Sequence, residues 1–135
     1  MSLYGPAMTA ATYARLHRLA AVVLKAGWPA ILDATFLRRH QRVQARRLAA
    51  KCGAAFVILD FEVDVETLRQ RLRRRKSAGR DPSDADESVL NVQLRTSQPL
   101  QADERMAVFA CGSSASTPDE PVRADWMPLL RRLGQ

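Results

Sequence analysis

Residues 29–42 read PAILDATFLRRHQR. A short apolar run ends on an acid, Asp33, followed by Thr35 and then by three bases, Arg38, Arg39 and Arg42. An acid at the end of a buried strand can orient magnesium or a hydroxyl that accepts a phosphoryl group. Guanidinium groups just beyond it suit phosphate, because their planar fork matches its oxygens. A second basic cluster follows at Arg71, Arg73, Arg74, Arg75 and Arg80, with a break at Gly79. Arg75 and Arg80 flank that break. Nucleotide chemistry needs one more part, a glycine-rich loop whose amides cradle the phosphates. That part is missing from these residues. The six glycines, at positions 5, 27, 53, 79, 112 and 134, are widely scattered, and neither GxxxxGK[ST] nor GxGxxG occurs.

Each of these groups also has a plainer reading. Asp33 can cap the helix that follows it, and Thr35 suits a cap or a turn. Arginines at the start of a helix oppose its dipole, so local stability does not explain Arg38, Arg39 and Arg42. They either meet an anionic substrate or form a solvated basic surface. The cluster from Arg71 to Arg80 has the same two readings. His17 has no partner at metal-ligand spacing and reads as structural.

The elements that must position these residues follow from periodicity. Residues 8–26 form a helix with Tyr13, Leu16, Ala20, Val23 and Leu24 on one face, Thr9 at its start and Gly27 at its end. WPAILDA (28–34) is a buried strand, apolar without alternation. Residues 38–52 return to helix around Ala45, Leu48, Ala49 and Cys52, and Gly53 ends it. AAFVILDFE (54–62) is a second strand. Asp64 caps a helix over 65–78, with Val65, Leu68 and Leu72 in line. Ser83 and Asp86 resemble a capping box for a helix over 84–97. RMAVFAC (105–111) is a third strand, 112–121 a polar loop, and 122–133 a last helix that Pro128 kinks or shortens.

Alternation of this kind predicts an α/β fold with a parallel sheet and helices on its faces. Three strands make it thin and incomplete. The 135 residues suit one domain, and no apolar run reaches the roughly 20 residues of a membrane span. Cys52 and Cys111 are far apart in sequence, which fits reduced, inert thiols and a cytoplasmic protein. The chain carries a net charge of +7 and a pI of about 10.4. That charge points to nucleic acid or to phosphorylated substrates. With two Trp, two Tyr and four Phe, none interleaved with the arginine clusters, a base-stacking platform is disfavoured.

The stretches AGWPAILDATFLRRHQR and GRDPSDADESVLNVQL carry a family likeness. Residues 8–111 resemble the middle and later parts of AAA-type P-loop kinases, relatives of polynucleotide kinase, zeta toxin and gluconate kinase. The resemblance implies a three-layer P-loop NTPase-like sheet whose phosphate-binding segment precedes the residues seen here. It implies ATP and Mg2+ as cofactors of the intact protein, with neither expected on this portion alone. Asp33 matches the strand-end acid of the family's DAT motif and would stand near magnesium or the phosphoacceptor. Thr35, Arg38, Arg39 and Arg42 would face the acceptor. Arg75 and Arg80 fall in the lid, where arginines stabilise the transferring phosphoryl group. Gln93 and Arg95, on the helix after the lid, are weaker candidates. The acceptor would be a small molecule or a nucleic-acid end.

The family's sheet places the lost strand between AILDA and AFVILD. Two apolar edges are then open, which natural sheets avoid, and a homodimer through those edges is expected. The alternative is a non-catalytic basic module that dimerises or binds nucleic acid through Arg38–Arg47 and Arg69–Arg80.

Overall fold

The computed structural model describes residues 6–78, 87–112 and 126–134. They gather into two compact units, the first comprising Met1–Phe56 and Gln98–Leu100, the second Val57–Ser97 and Gln101–Gln135.

The first unit is built on two helices, α1 (Pro6–Lys25) and α2 (Arg39–Lys51), packed on each other. Proline's fixed φ suits a first helical position. With Pro6 opening α1, Thr9 lies inside the helix instead of capping it. The expected inward line of α1 holds at Tyr13 and Ala20, which are buried, and at Leu16 and Leu24, which are half-buried. Val23 falls at its edge and is exposed. From α2, Ala49 is buried and Ala45, Leu48 and Cys52 are half-buried.

Both helices end as the glycines predict. Gly27 (φ +84°) and Gly53 (φ +65°) take the left-handed conformation. Each closes a Schellman motif: the amides of Trp28 and Ala54 reach back to the carbonyls of Val23 at 3.2 Å and Ala49 at 2.9 Å. A side chain at either site would be strained by that φ alone.

The first expected strand is corrected. Residues 28–34 have no paired strand among the described residues and are not a strand. A strand exists only through the partner that takes its N–H and C=O groups. Nor is the segment buried on both faces as its unbroken apolar run predicted: Ala30, Leu32 and Ala34 are half-buried, while Ile31, Asp33 and Thr35 are exposed, the two-residue alternation of a strand covered on one side.

The second unit contains a two-stranded parallel sheet, β1 (Ile58–Glu62) and β2 (Val108–Gly112). Ile58 pairs with Val108 and Glu62 with Gly112, so both strands end together. The fold is thus mixed α/β with a small parallel sheet; the expected strand over 54–62 starts only at Ile58, and two of the three expected strands are paired among the described residues. Helix α3 (Val65–Ala78) has the expected bounds, α4 is Glu87–Thr96, and a short α5 (Ala102–Arg105) was not expected. Glu104, almost fully buried, makes α5 possible by accepting the Gln101 amide at 2.9 Å. The last helix, α6, is Met127–Arg132, shortened to start at Pro128's doorstep. The Ser83–Asp86 capping box lies outside the described residues.

β2 and α6 are tied by Arg132, whose Nη1 donates to the Val108 carbonyl at 2.8 Å, and by the stacked rings of Phe109 and Trp126, 6.2 Å apart. Cys111 is the most deeply buried side chain, and both cysteines are free thiols. Burial, and then the charge of Asp60, pushes the Cys111 thiol pKa up, which keeps it protonated and unreactive.

Asp64 caps α3 as its position predicts. Its Oδ1 accepts the Thr67 amide at 2.8 Å and its Oδ2 the Thr67 hydroxyl at 2.6 Å. These bonds favour the carboxylate and lower the Asp64 pKa, the Thr67 hydroxyl contributing most. A lowered folded pKa gives stability that is present above the unfolded value and is lost as pH falls through the folded one. The Thr67 amide resonance should therefore titrate below the ordinary aspartate range, and Asp64→Ala should abolish that titration. A midpoint at the ordinary aspartate value would show that the cap does not form in solution.

Candidate functional site

The sequence points to the stretch from Asp33 to Arg42, and the structure shows what holds it. Tyr13 projects from the buried face of α1, and its hydroxyl accepts the Phe36 amide at 2.9 Å. The two rings meet edge to face, 5.2 Å apart. Phe36 has φ +44°, a left-handed backbone that a bulky residue adopts only under constraint.

Arg42 supplies that constraint. It is 6% exposed, and its Nη1 donates to the carbonyls of Phe36 at 3.0 Å and Gln98 at 3.1 Å, its Nη2 to that of Pro99 at 3.3 Å. The same Gln98 accepts the Arg39 amide on Oε1 at 2.7 Å and donates its own amide to the Leu37 carbonyl at 2.7 Å. Gln41 closes the start of α2: its Oε1 accepts the Arg38 amide at 3.0 Å. Residues 36–42 and 98–100 thus form one polar clasp in which every link involves backbone.

Placed on this frame, the sequence-predicted residues separate. Asp33 and Thr35 are both exposed, on the same side of the alternating segment, immediately before the clasp. Asp33 does not cap α2; Arg38 occupies that position. Arg38 and Arg39 are exposed at the helix start, whereas Arg42 is turned inward with its fork occupied by the protein's own carbonyls. Arg75 lies in α3 with its side chain outside the described residues, and Arg80 lies outside them altogether. Of the other basic residues beside them, Arg73 donates from Nε to Glu87 at 2.6 Å, an exposed pair. Gln93 and Arg95 lie on α4.

Tyr13, Phe36, Gln98 and Pro99 were not singled out from the sequence. One signal was available: Arg42 stands three and seven residues before Ala45 and Ala49, on the inward line of α2. His17 lies on the inner side of α1, 6.3 Å from the Tyr13 ring, and burial lowers its pKa.

Gly27 and Gly53 terminate helices instead of opening one, and at the start of α2 the amides of Arg39 and Gln41 are bound by Gln98 and by the Arg38 carbonyl. Among the described residues no group of His, Cys, Asp and Glu could hold a metal ion. None of the described helices is long and apolar enough to cross a membrane.

Residues 2–100 match the family described as AAA domain. The chain belongs to the AAA domain family. It is thereby placed among nucleotide-binding domains of the P-loop type, and the match runs through Asp33, the clasp and both arginine clusters. No curated protein and no solved structure matches the chain.

Proposed function

We propose that these residues are the acceptor-side and lid-side portion of an ATP-dependent phosphotransferase of the P-loop type, inactive without a phosphate-binding loop that they do not contain. The observation that carries this reading is the open segment 28–35. It belongs to an AAA domain, has the alternating burial of a strand, and presents Ile31 at 87% exposure beside Asp33 with no strand paired to it among the described residues. A strand bearing the phosphate loop would supply the missing hydrogen bonds and would bring its loop to the end where Asp33 stands.

In this reading Asp33 orients the acceptor hydroxyl or the metal, Thr35, Arg38 and Arg39 face the acceptor, and Arg42 positions them through its clasp. Arg75 and Arg80 close over the phosphates. The exposed apolar side chains support the same reading. Leu19, Val22, Trp28 and Ile31 in the first unit and Phe61, Val92 and Met106 in the second are all more than half exposed or nearly so. Side chains of this kind are normally covered by further chain. In these 135 residues taken alone, the open edge pairs with a second copy of itself.

The test is a calorimetric titration with MgATP of these 135 residues and of the longer gene product that includes the upstream coding sequence. The shorter protein should give no heat of binding. The longer one should bind and should phosphorylate a hydroxyl acceptor, with Asp33→Asn lowering kcat about a hundredfold at unchanged melting temperature. Tight, magnesium-dependent binding by the shorter protein, or an upstream sequence without GxxxxGK[ST], defeats the reading.

A further inference from the structure

The charge of the chain is not shared between its two units. Met1–Phe56 with Gln98–Leu100 carries nine Lys and Arg against a single acid, Asp33, a net +8. The remaining residues carry twelve against thirteen, a net −1. The basicity of the protein is therefore a property of the first unit alone.

Eight of those nine cations are exposed, and the ninth is Arg42 in its clasp. They are densest on α2. With 100° per residue, Gln41, Arg42, Ala45, Leu48 and Ala49 share the inward arc, while Arg39, Arg46, Arg47 and Lys51, with His40, share the outward one. No Asp or Glu occurs from position 34 to position 59, so nothing on the element offsets them. Arg47 and Lys51, four apart, repel each other, and Arg39 opposes the helix dipole. In the basic cluster of the second unit, Arg73 is paired with Glu87.

The arc also carries no aromatic or large aliphatic side chain; its only apolar members are Val43, half-buried, and Ala50. Peripheral membrane helices place apolar residues beside their cations, and single-strand platforms stack bases on aromatics. A run of guanidinium and ammonium groups over about 18 Å of helix suits a regular row of phosphates instead. The exposed apolar residues Leu19 and Val22 sit on α1, which packs on the other side of α2.

We propose that the outward face of α2, through Arg39, Arg46, Arg47 and Lys51, binds the phosphate backbone of nucleic acid without reading its sequence. The site shares Arg39 with the acceptor-facing residues proposed above, but Arg46, Arg47 and Lys51 have no part in that reading, and the site stands whether or not the chain is part of a phosphotransferase.

Fluorescence anisotropy with a labelled 20-base-pair duplex of arbitrary sequence, titrated from 50 to 200 mM NaCl, tests it. Four phosphate contacts predict a slope of log K against log[NaCl] of about −3 to −4, a loss of roughly a hundredfold over that range. Replacing Arg46, Arg47 and Lys51 together by Gln should flatten the slope by about 2 to 3, while Arg105→Gln with Arg131→Gln, in the other unit, should leave it unchanged. Arg46→Lys with Arg47→Lys keeps the charge and should keep the slope. Far-UV circular dichroism checks each variant, and the slope of the unsubstituted protein decides by itself if one fails to fold. Absent or salt-insensitive binding overturns the proposal, as do an unchanged slope in the triple variant and preferential capture by phosphatidylserine vesicles.

Discussion

Arg42→Ala should destabilise the first unit by about 3 kcal/mol, since hydrogen bonds from a charged donor are worth roughly 1.5–3 kcal/mol each and this donor is itself buried. Three carbonyls, of Phe36, Gln98 and Pro99, depend on this one guanidinium. An opposing effect exists, because the substitution removes one cation from a unit of net +8. The other cations are exposed and screened over about 8–10 Å, so the relief is a fraction of a kcal/mol and the lost bonds decide the sign. For a unit of this size the fall in melting temperature should exceed about 10 °C in scanning calorimetry. Arg42→Lys should lose most of the same stability, because an ammonium cannot span carbonyls on two segments as the fork does. A lysine variant as stable as the unsubstituted protein would mean that charge, and not the fork, holds residues 36 and 98–100 together. Tyr13→Phe should cost about 1 kcal/mol more modestly, through the lost bond to the Phe36 amide.

The helices were legible because periodicity and punctuation agreed. Gly27 and Gly53 stop α1 and α2, and Asp64 starts α3, each for a reason confined to a few neighbouring residues. The strand over 28–34 was legible as a pattern and not as an element. The apolar run was readable in the residues themselves, but its alternating burial was not, because Ala30, Ile31 and Leu32 are all apolar, and pairing requires a neighbour that no local signal specifies. The same distinction separates the candidate residues. The position of Asp33, exposed at the end of an apolar run, followed from its own sequence context. The occupation of Arg42 did not, because two of its three acceptors lie 56 and 57 residues away. Net charge was readable in total and misleading as a total: only the division of the chain into units shows that +8 belongs to one of them.

The largest effect on assembly is expected at Ile31. In these 135 residues, Ile31 is 87% exposed and Trp28 is 70% exposed, on a segment whose backbone groups have no strand partner among the described residues. If a second copy covers this edge, both Ile31 side chains are buried, at roughly 1.5–3 kcal/mol each. Ile31→Lys removes both contributions and places two ammonium groups close together, in a unit that is already strongly cationic. Self-association should weaken about a thousandfold, read by sedimentation velocity as conversion of dimer to monomer at micromolar concentration. The folded monomer itself should lose nothing, because Ile31 contacts solvent there, so its melting temperature should be unchanged at low concentration. Ile31→Val retains most of the apolar area and should retain the dimer. A protein that sediments as a monomer before any substitution would remove the second copy as occupant of the edge, leaving the phosphate-loop strand as the element this segment is shaped to meet.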